Sequence, residues 1–160
     1  MARIFLVEDD DDLRAVMARA LERADHAVTA LADGDEAVRT LAEGLACDLV
    51  LTDLELPGRS GLEVIRAAKS ADAAVPVVAT SGKGRPVSVA LDLARRCGAD
   101  AVIAKPFKLS MLVALIERVL RGEQPAEPET MAADDEDGDV VVIMPPDLLS
   151  AKLRARPGEA

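Results

Sequence analysis

Apolar and polar positions in the first 122 residues repeat with two periods. Short apolar runs of strand length occur at 3–7 (RIFLV), 26–31 (HAVTAL), 48–53 (DLVLTD), 76–81 (PVVATS) and 101–104 (AVIA). Between them lie stretches with helical spacing: 12–24, 35–44, 61–70, 86–98 and 108–122. The first puts Leu13, Val16, Met17, Ala20 and Leu21 on one face, and the third does the same with Leu62, Ile65 and Ala68. Pro86 opens the fourth and Gly98 closes it, the favoured asymmetry of helix ends. Gly44 is placed to close the second.

Five strands alternating with five helices predict an α/β domain, with a parallel sheet covered on both faces. Right-handed crossovers leave few topologies. A domain of this size suits the flavodoxin-like, doubly wound, five-stranded order 2-1-3-4-5. Ligands bind such sheets at the carboxyl ends of the strands. The pattern predicts a domain over 1–122. After Gly122 the composition changes. Residues 123–139 carry Pro, Glu, Asp and small residues with almost nothing to bury, and read as a disordered acidic linker. Residues 140–160 hold one apolar run, VVVIM, and a brief helical stretch, a short C-terminal tail that reads as a docking motif.

Composition narrows the function. Hydrophobic residues make up 50% of the chain but aromatics only 1%, so the core must be built from Val, Leu, Ile and Ala. The formal net charge of -10 points away from a nucleic-acid footprint, which needs a basic face. No signal segment opens the chain, and no apolar run reaches membrane length, so no membrane insertion is expected. Cys47 and Cys97 fit neither a metal pattern nor a redox pair. A cytoplasmic protein is the expectation.

Five consecutive carboxylates, Glu8 to Asp12, follow the first apolar run. Capping and the helix dipole account for Asp10 to Asp12. Glu8 and Asp9 would sit at the carboxyl end of a central strand. The third strand ends in Asp53, the fourth in Ser81, and the fifth is followed by Lys105. All these ends open on one crevice. Glu8, Asp9 and Asp53 crowd together only if something positive neutralises them. Mg²⁺ is a hard cation commonly held by one or two carboxylates with waters and phosphate oxygens. Lys105 supplies a point charge suited to a phosphoryl oxygen, and Ser81 a hydroxyl donor. An Asp nucleophile forming an aspartyl-phosphate suits the arrangement.

The segments VEDD, DLVLTDLELPGRSG, PVVATSG and AKPF, in that order on alternating elements, resemble the receiver domain of bacterial two-component response regulators, of the stand-alone type. The resemblance covers roughly residues 1–122. It implies that Asp53 takes a phosphoryl group from a phosphohistidine on a sensor histidine kinase or a histidine phosphotransfer protein. It implies Glu8 and Asp9 as the acidic pair, the Glu55 backbone carbonyl as a further ligand of Mg²⁺, and Ser81 and Lys105 as contacts of the phosphoryl group. It also implies a cis Lys105–Pro106 bond. Signalling would run through contacts with a downstream protein target, without direct nucleic-acid binding, and the domain would not be a turnover enzyme. One departure stands out: many receivers carry an aromatic three residues before the lysine, and here that position is Val102. Two alternatives remain: an Asp-nucleophile phosphatase of the haloacid dehalogenase type, and an interaction module that never meets phosphate.

Overall fold

The computed structural model describes residues 1–82, 86–123, 129–132 and 140–143. Five strands, β1 (Arg3–Val7), β2 (Ala27–Leu31), β3 (Leu49–Asp53), β4 (Val77–Ser81) and β5 (Ala101–Ala104), form one sheet in the order β2-β1-β3-β4-β5. All four pairings are parallel. Between them run α1 (Asp11–Arg23), α2 (Gly34–Ala42), α3 (Gly61–Ala71) and α4 (Val87–Arg96), and α5 (Leu109–Leu120) follows β5. The expected architecture is therefore present, with element ends displaced by at most two residues. Pro86 is one such case. It stands at the cap position rather than inside α4, where its missing N–H costs nothing.

Strand periodicity divides the core in two. Phe5, Val7, Val50, Val77, Ala79 and Val102 point to one side, where α2, α3 and α4 cover them through residues such as Leu41, Ile65 and Ala94. Ile4, Leu6, Leu49, Leu51, Val78 and Ile103 point to the other, against Met17 and Leu21 of α1 and Leu112, Leu115 and Ile116 of α5. The central strand β3 is buried along its whole length, so it reads as a continuous apolar run. Val16 departs from the expected face: it is 42% exposed. The buried stripe of α1 runs through Met17 and Leu21, one turn apart, and Val16 lies on its flank.

Local chemistry fixes the helix starts beside the carboxyl edge. Asp10 caps α1 by accepting from the Leu13 N–H at 3.0 Å, with Asp11 and Asp12 in the positive first turn. Asp33 caps α2 by accepting from Asp35 N–H at 2.6 Å. Ahead of α3, the Glu63 carboxylate reaches back to the Ser60 N–H at 3.1 Å.

Val140–Ile143 (β7) pairs antiparallel with Glu129–Ala132 (β6) as a separate two-stranded sheet, and β7 lies beside β5. Most of the acidic segment 123–139 and all of the tail beyond 143 lie outside the described residues.

Gly61 brings α3 hard against the end of β3. A Cβ there would stand 1.9 Å from the Asp53 carbonyl oxygen and 2.6 Å from Leu54 Cα. Both neighbours are backbone, so the clash has no cheap relief. Gly44 has open space around it but a φ of +89°. Gly61→Ala is therefore expected to lower stability by about 3 kcal/mol or more. Gly44→Ala should cost only about 1 kcal/mol. Urea unfolding midpoints of the two variants check the order, and equal losses would refute the close-packing account.

Candidate functional site

Backbone bonds carry the sheet ladder past the strand ends and so place the polar residues that follow. Glu8 N–H donates to Leu31 O at 3.0 Å, Leu54 N–H to Thr80 O at 2.9 Å, and Lys105 N–H to Ser81 O at 2.7 Å. The parallel register sets Asp53 opposite Thr80 and Ser81 opposite Ala104. Glu8, Asp53, Ser81 and Lys105 thus come from four different strand ends and meet at one edge.

Lys105 is the centre of the cluster. Its ammonium lies 2.9 Å from Glu8 Oε2 and 2.7 Å from Asp53 Oδ2. Glu8 is 1% exposed and Asp53 3%. Carboxylate oxygens of Glu8, Asp9 and Asp53 all lie within 4.8 Å of one another, with Asp9 on the exposed side. Three hard oxygen donors around one point fit a hard divalent cation, whose charge would offset their mutual repulsion.

The remaining oxygens of these groups are held from the chain. Glu8 Oε1 accepts from the Asp10 N–H at 3.2 Å, and Asp53 Oδ1 from the Glu55 N–H at 3.0 Å. The Lys105–Pro106 bond is cis, as the resemblance implied. Among the described residues, the buried Ser81 Oγ has no hydrogen-bond partner. A hydroxyl left unmet at the mouth of a charged cluster has capacity to spare for an incoming group.

Two partners escaped the sequence reading. Arg14, one turn into α1, donates to the Glu8 carbonyl at 2.9 Å. The Glu55 carboxylate accepts from the Gly82 N–H at 3.0 Å. Sequence pattern offers no signal for the first. For the second, the signal was the second carboxylate of DLEL, two residues beyond Asp53.

Electrostatics follows the geometry. Burial pushes the Glu8 carboxyl up to about 7; the hydrogen bond from Lys105 opposes that rise and the Asp53 charge adds to it. The Lys105 ammonium is held above its ordinary value: burial acts to lower it, but the hydrogen bonds to Asp53 and Glu8 outweigh burial.

A family model described as the response regulator receiver domain matches residues 4–117. The chain belongs to this family. It is 38% identical over 138 residues to the DNA-binding response regulator MtrA of Mycobacterium leprae (strain TN), a match covering 86% of this chain and 60% of that protein. It is 37% identical over 118 residues to the transcriptional regulatory protein CseB of Streptomyces coelicolor, covering 74% and 49%. Among solved structures, the BeF3-activated DrrB receiver domain superposes with a TM-score of 0.66 at 26% identity, over 76% of this chain and 98% of that one. The chain thus spans between about half and 60% of the length of these two regulators.

These relatives correct one expectation. The net charge of -10 was read as excluding direct nucleic-acid contact. Proteins named for DNA binding and transcriptional regulation share this domain, so the exclusion does not hold. The physical reason is that net charge describes only the residues summed. Much of the acidity here serves the carboxylate cluster and the helix caps. The phosphatase alternative is not favoured either: that class carries its nucleophile on the first strand, whereas Asp53 ends β3. Among the described residues, no helix is long and apolar enough to cross a membrane.

Glu8 makes the fold sensitive to pH. Unfolded, a Glu carboxyl titrates near 4.3. Between that value and about 7 the folded chain keeps a proton that the unfolded chain releases. Stability therefore falls as pH rises through this window, is unaffected by Glu8 below it, and carries the full loss above it. Without divalent cations, raising pH from 5 to 8 should cost roughly 2 kcal/mol through this group. Urea unfolding at the two pH values measures the loss, and Glu8→Gln should flatten it. An equally steep fall in that variant would place the effect elsewhere.

Proposed function

We propose that this receiver accepts a phosphoryl group on Asp53 and changes its protein contacts as a result. The observation that carries the reading is Lys105, whose ammonium lies 2.7 Å from Asp53 Oδ2 at the mouth of the cluster formed with Glu8 and Asp9. An ammonium there is placed to neutralise charge on a phosphoryl oxygen once that group arrives. Asp53 Oδ would attack phosphorus in line. The new bond is O–P, and the bond broken is P–N of a phosphohistidine on a sensor histidine kinase or histidine phosphotransfer protein. The imidazole nitrogen keeps the electron pair. Transfer of this kind depends on positioning and charge neutralisation. Ser81 Oγ would donate to the phosphoryl group.

Glu8, Asp9, Asp53 and the Glu55 carbonyl are the proposed holders of Mg²⁺, which when bound would offset charge on the carboxylates and the phosphoryl oxygens. Glu8 and Lys105 would then keep Asp53 oriented. The reading is of a cytoplasmic signalling domain rather than a turnover enzyme. Its downstream step is a contact that depends on phosphorylation state, with gene control, the role the relatives' names carry, within its range.

Phosphoramidate with Mg²⁺ should add one phosphoryl group per chain, read by intact mass. Asp53→Asn should abolish the addition and Asp9→Ala should slow it about tenfold or more. Labelling of Asp53→Asn to the wild-type extent would refute the assignment.

The C-terminal segment is proposed to dock on the free edge of the sheet. Support comes from β7 lying beside β5, the edge strand whose outward backbone groups would otherwise invite another chain. Deleting residues 124–160 should speed amide hydrogen exchange at Ala101–Ala104. Unchanged exchange there would remove the docking role.

A further inference from the structure

The proposed phosphoryl site already holds an anion of its own. Glu55 follows Asp53 by two residues, and its carboxylate crosses the crevice to accept from the Gly82 N–H at 3.0 Å. Gly82 directly follows Ser81, whose Oγ is buried and without a partner. The second Glu55 oxygen, Oε1, is likewise buried and has no partner among the described residues. A Cβ built on Gly82 would come 3.3 Å from Glu55 Oε2 and 3.9 Å from Lys105 Cδ, so this carboxylate, Gly82 and the lysine stem share one small space. The arrangement is costly as it stands. A negative group is placed beside the cluster of Glu8, Asp9 and Asp53, and one of its oxygens stays buried without a donor. Its gain is one charge-assisted bond to a backbone N–H.

We infer that the Glu55 carboxylate is an internal stand-in for a phosphoryl oxygen, occupying the Gly82 N–H and leaving when Asp53 acquires its phosphoryl group. The inference rests on Asp53 being the phosphoacceptor and adds a positioning residue to that site. Two anions cannot share one N–H donor at close range without strong repulsion. Phosphorylation therefore competes with Glu55 and must displace it. The displacement frees the link between the β3–α3 loop, which carries Glu55, and the start of the β4–α4 loop at Gly82. Glu55 then acts as a gate: it ties the two loops together in the unmodified state and raises the barrier to loading.

Beryllofluoride with Mg²⁺ tests the gate, because it reports occupancy of a phosphoryl site without any bond to phosphorus. Titration should give an apparent affinity about threefold to tenfold tighter for Glu55→Ala than for wild type, the worth of one hydrogen bond no longer opposed. Glu55→Gln, which keeps an acceptor for Gly82 but loses the charge, should fall between them. Initial phosphorylation rates from phosphoramidate should follow the same order. In unmodified protein, amide exchange at Gly82 should be faster in Glu55→Ala than in wild type, a readout independent of loading. If wild type takes beryllofluoride and Glu55→Ala takes it equally or more weakly, the gate is overturned and the phosphoacceptor reading stands. If wild type takes none, both fall. Unchanged Gly82 exchange in Glu55→Ala overturns the stand-in contact itself.

Discussion

One ammonium organises this molecule's functional edge. Lys105 Nζ sits between Glu8 and Asp53, at 2.9 and 2.7 Å, and these carboxylates end two adjacent central strands. Burying both carboxylates would be prohibitive if neither had a partner. Burial pushes the Glu8 carboxyl up to about 7, because one ammonium shared with Asp53 does not fully offset it. The site is thus short of positive charge by construction. A hard cation or a proton relieves the shortage, and so the cluster is poised to respond to charge. Because Lys105 stands just past β5 and reaches back to β1 and β3, any change in its partners is felt across the sheet.

The rest of the fold keeps that cluster in place. The ladder bonds past Leu31, Thr80 and Ser81 fix the backbone of Glu8, Leu54 and Lys105, so the side chains start from determined positions. Gly61 lets α3 approach Asp53 to a distance no side chain would permit. The Asp53 carboxylate is oriented by the Glu55 N–H, a tight local turn closing on its own side chain. The scaffold therefore specifies geometry through backbone groups, which have few alternatives, and leaves charge balance to side chains, which have several.

Most of this was legible in the sequence because parallel α/β sheets write themselves plainly. Buried strands give unbroken apolar runs, and LVLTD of β3 is the clearest. The carboxyl ends then follow from topology alone, and with them Glu8, Asp9, Asp53, Ser81 and Lys105. What stayed hidden was side-chain reach. Glu55 could be placed at the edge, but its bond to Gly82, 27 residues away, depends on rotamer and loop shape that no periodicity encodes. Val16 misled for a related reason: helical spacing gives a face but not its centre, which is set by what packs there. The net charge misled because it is a sum over these residues alone, and proteins named for binding DNA share this domain.

The two helices flanking β5 bear on how a local change at the cluster spreads. On one face α5 buries Met111, Leu112, Leu115 and Ile116. On the other, the described side chains of α4 in the core are Ala90 and Ala94, with Cys97 at its end, and Val89 is 45% exposed. A buried Leu or Ile contributes about 1.5–3 kcal/mol, whereas each methyl of an Ala contributes about 0.8 kcal/mol. By these magnitudes the described core side chains of α5 contribute several times what Ala90 and Ala94 do. Val102, in the position where many receivers have an aromatic, faces the α4 side and is 5% exposed. With no aromatic ring there to rotate, a rearrangement at Ser81 and Gly82 has the β4–α4 loop as its direct covalent route outward. That route leads into α4, so the chain's own connection, rather than an aromatic lever, carries a change at the site outward.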